Sequence, residues 1–199
     1  MKGNIAVAGA GLVGSLLAIY LQRRGYQVSV FERRSDMRCG GNDAGRSINL
    51  ALSNRGLRAL GEVGLADKMK AVAIPMHGRT MHDIHGRLSF LPYGKEGQFI
   101  NSISRAGLNV VLMNEAERLG VKIYFDQRIH HVDLERTRLN IQEADGKHKD
   151  VAFDHIIGAD GAFSAVRGAM QITERYDYQQ SYIAHGYKEL TIPAGKSGE

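Results

Sequence analysis

The sequence is poor in cysteine and proline, with one Cys (Cys39) and three Pro in 199 residues. A lone thiol allows no internal disulfide, so the fold does not depend on an oxidising compartment, and cysteine-rich metal sites are excluded. Scarce proline, with 24 glycines that fall in discrete clusters, excludes disorder and collagen-like repeats. Long uncharged runs are scarce too. Residues 3–22 carry no charge and are long enough to span a bilayer, but Gly3, Gly9, Gly11 and Gly14 interrupt them and Asn4, Ser15 and Gln22 dilute them. A strand, turn and helix account for those glycines where a membrane span does not. The chain is therefore expected to be soluble and cytoplasmic, with no membrane segment.

Apolar residues make up 43% of the chain and charged residues 24%, as in an ordinary globular protein. The net charge is +5, and its source is local. Residues 23–58 hold eight Arg against Glu32, Asp36 and Asp43, a surplus equal to that of the whole chain. No aromatic residues interleave with these arginines as a single-strand nucleic-acid binder requires, so nucleic acid is not expected as a partner. A small, multiply charged anion such as a cofactor phosphate suits a local cluster better.

Along the chain, Ile5–Ala8 is a short apolar run that suits a strand buried on both faces. Leu12, Leu16, Ile19 and Tyr20 recur at helical spacing, and residues 28–31 give a second strand. The polar, glycine-rich residues 35–46 read as a loop and residues 53–71 as a helix broken at Gly64. A hairpin is expected around His85-Gly86, a helix over 106–119, a strand over 121–125, and a second hairpin of segments 137–142 and 150–157. The closing residues 187–192 alternate like a strand. With nothing after it for that strand to pair with, the sequence is expected to be the N-terminal part of a longer protein. The pattern is α/β with antiparallel insertions.

Gly9-Ala10-Gly11-Leu12-Val13-Gly14 is a G-x-G-x-x-G turn between an expected strand and helix, and Glu32 follows 23 residues after Gly9 at the end of the next strand. In such a turn Gly9 allows the tight bend, Gly11 lets backbone approach a pyrophosphate, and Gly14 lets helix and strand pack closely. The helix N-terminus offers free N–H groups to phosphate, and Glu32 is placed to accept both hydroxyls of an adenosine ribose. On this turn alone FAD or NAD fits best. Arg33 and Arg34 suit the 2′-phosphate of NADP, which Glu32 opposes.

A second glycine-rich turn, residues 158–167, follows Ile156-Ile157 and contains Asp160, Gly161, Ser164 and Arg167 in the spacing D-G-x-x-S-x-x-R. Here the sequence resembles the flavin-dependent aromatic hydroxylases, the group A monooxygenases, in which this motif lies at the flavin. The middle of the chain is similar to the kynurenine 3-monooxygenase family in particular. The blocks are Gly45–Ser53, Ile74-Pro75-Met76 with Arg79, Pro92-Tyr93-Gly94, Ser104-Arg105 with Leu108-Asn109, and His185–Tyr187 with Glu189–Pro193.

The resemblance implies a Rossmann-like FAD-binding domain of the aromatic-hydroxylase type, with antiparallel insertions and the start of a β-sheet substrate domain. Residues 1–75 and 100–175 would form the discontinuous FAD-binding domain, and residues 76–99 and 176–199 portions of a truncated substrate domain. It implies hydroxylation of L-kynurenine with FAD, NADPH and O2, although the segment alone is expected to be inactive. Arg79 and Tyr93 would hold the substrate carboxylate, a two-pronged guanidinium contact plus one phenol donor. Arg105, Ala51 and Ile129 would contact FAD, with Gly9, Gly11, Leu12, Val13, Gly14, Glu32, Arg33, Asp160, Gly161 and Arg167 completing its surroundings. No catalytic side chain is expected among these residues, because the cofactor carries the chemistry.

Other readings stay open at this point. These are a flavin hydroxylase of another aromatic substrate, a non-catalytic nucleotide-binding module, and an NADP-dependent dehydrogenase, which leaves residues 158–167 unexplained. No metal is expected: His82 and His85, like His130 and His131, fall on opposite faces of expected strands, and no ligand spacing matches.

Overall fold

The computed structural model describes residues 2–39 and 49–186. Strand β1 (Asn4–Ala8) leads through the first glycine turn into helix α1 (Leu12–Arg23) and back into β2 (Gln27–Phe31). With β8 (Lys122–Tyr124) and β12 (His155–Gly158) these strands make a four-stranded parallel sheet in the order β12-β1-β2-β8. The apolar run of β1 is continuous because both of its faces are covered. Ile5 and Val7 pack with Ile19 of α1 and with Leu108 and Leu112 of α4 (Arg105–Arg118). Ala6 and Ala8 face the other way, where small side chains let a second layer come close. That layer is the antiparallel sheet β11-β10-β9 (β9 Arg128–Asp133, β10 Arg138–Gln142, β11 His148–Ala152) with α5 (Ala165–Gln171), contributing Val132, Leu139, Ile141 and Val166. Each large aliphatic side chain buried in these two cores contributes about 1.5–3 kcal/mol.

A third sheet, β3-β7-β4, joins Asn49–Leu52, Ile100–Ser104 and Ile74–Met76, and ends β7 at the start of α4. Two short helices, α2 (Asn54–Glu62) and α3 (Ala66–Lys70), connect β3 to β4. The hairpin β5–β6 (Gly78–His82 and Leu88–Pro92) stands apart, with most of its side chains exposed. Its turn is held by Asp83, whose Oδ1 accepts the N–H groups of His85 and Arg87, each at 2.8 Å.

The helix expected over 53–71 breaks at Gly64 as the sequence indicated, giving two helices: Gly64 takes a φ of +72° and the Leu65 N–H turns back to the Leu60 carbonyl. Other expectations are corrected. The strand expected over 150–157 is split between two sheets. At the split Asp154 braces β1: its Oδ2 accepts from the Asn4 N–H at 2.7 Å, and its own N–H donates to Asn4. Strands β3, β4 and β7 were not anticipated, and β9 was expected only as a strand at His130 and His131. A bulge in β9 opposite Asn140 breaks the alternation, so His130 and His131 border one shallow depression together with Asp133. The stretch 3–22 is β1 and α1, and among the described residues no helix is long and apolar enough to cross a membrane. The strand expected at 187–192 and most of the loop 35–46 lie outside the described residues.

Candidate functional site

The first turn separates three glycine roles. Gly9 has a φ of +93°, and a Cβ there would lie 2.7 Å from the Ala159 carbonyl oxygen and 3.0 Å from Asp160 Cα. Gly14 sits where a Cβ would come within 1.9 Å of the Gly9 oxygen. A Cβ on Gly11 would meet nothing within 4 Å. The protein itself therefore requires glycine at 9 and 14, whereas position 11 faces open space. Gly11 is the N-cap of α1 and offers no side-chain cap, and no acidic residue occupies the first turn. The first intrahelical bond runs from the Ser15 N–H to the Gly11 carbonyl at 2.9 Å. The N–H groups of Leu12, Val13 and Gly14 precede it and lack helical partners, and Val13 is 70% exposed. An anion is the natural complement to this helix end.

Ala10 is held on every side. Its N–H donates to Glu32 Oε2 at 3.0 Å, and its carbonyl accepts from Ser15 Oγ at 3.1 Å and Asn109 Nδ2 at 3.0 Å. Glu32, 7% exposed at the end of β2, also accepts at Oε1 from the Arg34 N–H and Nε, each at 3.0 Å. A carboxylate offers about four lone-pair positions. Two donors fill Oε1, so Oε2 has room for one further donor, where the sequence suggested acceptance of two ribose hydroxyls. Asn109 is 7% exposed and its Oδ1 has no partner among the described residues. Glu32, Arg34, Asn109 and Ala10 border a small cleft of about 30 Å3. The open approach at Gly11, the helix end without an acid and the unpartnered Asn109 oxygen fit a phosphate- and ribose-bearing group.

The second turn meets the first directly. The Ala159 N–H donates to the Ala8 carbonyl at 2.8 Å, and Gly9 lies against Ala159 and Asp160. Its motif side chains brace the loop itself. Asp160 accepts from Ser164 Oγ and the Ala165 N–H, each at 2.6 Å, and Ser164 Oγ caps α5 by accepting the Arg167 N–H at 3.0 Å. The Arg167 guanidinium returns to the carbonyls of Gly161 and Ala162 and lies 5.1 Å from the Tyr178 ring centre. Gly161, at a φ of +79°, supplies the turn.

Other expected residues are more dispersed. Arg33 is exposed beside Glu32. Arg105 is exposed at the start of α4, one helical turn before Asn109. Ala51 is exposed on β3 opposite Ser102. Ile129 pairs with Ile141 and packs into the second core, while the adjacent Gln127 N–H donates to the Glu32 carbonyl at 2.9 Å. Arg79 pairs with Leu91, and the Tyr93 N–H donates to the His77 carbonyl, so Arg79 and Tyr93 share one face of the hairpin. Tyr93 also borders a larger cleft of about 740 Å3. Asn109 was missed as a site residue. Its signal was a polar residue on the buried helical stripe, at i, i+3, i+4 and i+7 with Leu112, Met113 and Ala116.

Comparison with known proteins follows this geometry. The FAD binding domain family matches residues 2–188. A kynurenine 3-monooxygenase of Myxococcus xanthus is 48% identical over 200 residues, covering 99% of this chain and 43% of that enzyme. A kynurenine 3-monooxygenase of Flavobacterium johnsoniae is 48% identical over 192 residues, covering 96% of this chain and 43% of that enzyme. Among solved structures, the tetrameric form of 2-methyl-3-hydroxypyridine-5-carboxylic acid oxygenase superposes with a TM-score of 0.69 at 28% identity, covering 84% of this chain and 42% of that one. The chain thus spans less than half the length of these relatives.

Proposed function

The chain belongs to the FAD binding domain family, and from that premise we propose that it is the flavin-holding portion of a monooxygenase that converts L-kynurenine to 3-hydroxykynurenine with NADPH and O2. The meeting of the turns at Gly9 and Asp160 carries this reading, because two glycine turns packed together suit one bound dinucleotide. The relatives that match nearly the whole chain supply the substrate.

Residues 1–75 and 100–175 are assigned to the FAD-binding domain, and residues 76–99 and 176–199 to the substrate domain. Bound flavin would supply the redox chemistry, accepting hydride from NADPH and delivering one oxygen atom of O2 to the aromatic ring while the other leaves as water. The protein positions and shields. Gly11 and the N–H groups of Leu12 and Val13 receive the pyrophosphate, with Gly9 and Gly14 keeping the turn tight enough to present them. Glu32 accepts one ribose hydroxyl, and the exposed Arg33 beside it in the chain is assigned to the same group. Ala51, Arg105 and Ile129 complete the flavin contacts. Asp160, Gly161 and Arg167 act by shaping the loop that backs Gly9. Arg79 and Tyr93 hold the substrate carboxylate from one face of the hairpin, so that the ring is presented in a single orientation with water excluded.

Arg79→Ala in the full-length flavoprotein tests the substrate assignment. Loss of a charge-assisted contact is expected to raise KM for L-kynurenine roughly 10- to 100-fold and to uncouple NADPH oxidation from hydroxylation. A variant with unchanged KM and coupling would remove Arg79 from the substrate site. Substrate-stimulated NADPH oxidation, compared between L-kynurenine and simple phenolic acids, tests the substrate class.

A further inference from the structure

Asn109 carries a polar atom that none of the roles above uses. The residue lies on α4 and is 7% exposed, and its Oδ1 is buried without a partner among the described residues. The amide cannot turn over to relieve that oxygen. Its Nδ2 faces two acceptors, the Ala10 carbonyl at 3.0 Å and the Met37 sulfur at 3.6 Å. A flip would set Oδ1 against both of them. The neighbours therefore dictate the orientation, and Oδ1 is left for a donor from outside the protein.

The surroundings of Asn109 are firmly held. The Arg38 guanidinium, next in the chain to Met37, donates to the Asp36 carboxylate, to Asn114 Oδ1 and to the Glu117 carboxylate. It also lies 5.4 Å from the Phe125 ring centre. These bonds fasten residues 36–38 to α4 one to two turns beyond Asn109. Met37, Asn109, Met113 and Phe125 then line the cleft of about 30 Å3 together with Glu32. That cleft has room for a hydroxyl group or a water and none for a sugar ring. Glu32 reaches it from β2 with one acceptor position left on Oε2. Two acceptors from different elements thus border one small recess, and a vicinal diol supplies two donors on adjacent carbons.

We propose that Glu32 and Asn109 divide the adenosine ribose of the flavin between them, Glu32 Oε2 accepting one hydroxyl and Asn109 Oδ1 the other. The inference deepens the flavin reading and rests on it. It makes Asn109 a binding residue as well as a brace for Ala10. It also gives the recess a preference for a nucleotide with both hydroxyls free. A 2′-phosphate brings no hydroxyl hydrogen to that position and meets the Glu32 carboxylate, a like charge. A water seated on Oδ1 is the competing occupant.

The test titrates the flavin-stripped full-length protein by fluorescence quenching with three probes: FAD, and FAD lacking either the 2′- or the 3′-hydroxyl of its adenosine ribose. The parent is expected to bind each deoxy analogue about tenfold more weakly than FAD. Asn109→Leu is expected to bind FAD about tenfold more weakly than the parent. It is also expected to bind one deoxy analogue within twofold of FAD, while still discriminating against the other. A residue that only braced Ala10, or held a water, would weaken all three probes by the same factor, and that result overturns the inference. So does a parent that binds FAD but is indifferent to one of the hydroxyls, a measurement that needs no variant to fold. Either outcome leaves the flavin reading standing. A parent that does not bind FAD at all refutes the flavin reading and this inference with it.

Discussion

The paired substitutions Gly14→Ala and Gly11→Ala separate what the fold needs from what the ligand needs. At Gly14 the new Cβ would start 1.9 Å from the Gly9 oxygen and 3.4 Å from Ala159 Cβ. Ordinary contact is about 3.5–4 Å, and the near obstacle is backbone, so α1 must retreat by more than about 1 Å. Overpacking of this kind costs about 1–3 kcal/mol, and the better helix propensity of alanine offsets at most about 1 kcal/mol. A net loss of about 1–2 kcal/mol corresponds to a melting temperature lower by about 2–8 °C in a domain of this size. Gly11 is different. Its φ of −71° and ψ of −179° suit alanine, and nothing lies within 4 Å of the added carbon. Weaker N-capping costs at most about 1 kcal/mol, yet the methyl group occupies the approach to the free N–H groups of α1. The assay is thermal melting of the flavin-stripped full-length protein, beside flavin titration by fluorescence quenching. Gly14→Ala is expected to lower both melting temperature and flavin affinity. Gly11→Ala is expected to melt within a few degrees of the parent while binding flavin at least tenfold more weakly. Parent-like flavin affinity in Gly11→Ala would refute the placement of the pyrophosphate at this turn.

Two other outcomes follow from the same geometry. Glu32→Ala removes the acceptor of the buried Ala10 N–H and releases Arg34, so a loss of about 1–3 kcal/mol in chemical denaturation is expected, together with loss of flavin retention on gel filtration. Asp36 is held below its ordinary pKa of 3.8, chiefly by its hydrogen bond with the Arg38 side chain. A depressed carboxyl stabilises the fold above the unfolded value and loses that contribution as pH falls through the folded value. Arg38→Leu is therefore expected to flatten the decline of stability below about pH 4, measured by denaturant midpoints across pH, while the parent keeps the steeper slope.

The parts of this molecule that were legible in its sequence are those where one backbone position admits one residue. Gly9 and Gly14 sit where an added Cβ meets backbone, Gly161 takes a φ of +79°, and Gly86, at a φ of +76°, announced the β5–β6 hairpin in the same way. Strands that depend on partners elsewhere were not legible. In Ile100–Ser104 the buried positions are Asn101 and Ile103, and half of that inward face is polar, so alternation carries no signal. The β9 bulge inverted the expected separation of His130 and His131, because one extra residue in a strand cannot be seen until its partner strand is known.

The site divides along the same line. Spacing identified Glu32, but not that Ala10 and Arg34 already occupy three of its acceptor positions. Asn109 was passed over because a polar residue on a helix ordinarily belongs to the solvent face. The spacing of Asp160, Ser164 and Arg167 is itself helix geometry. Ser164 is the N-cap of α5, its oxygen takes the N–H three residues on, and Asp160 takes the first N–H of the helix. These side chains determine where the Ala159–Asp160 backbone lies, and that backbone is what Gly9 packs against. A motif that reads as a ligand contact can thus act one step removed, by holding the wall on which the contacting turn is built.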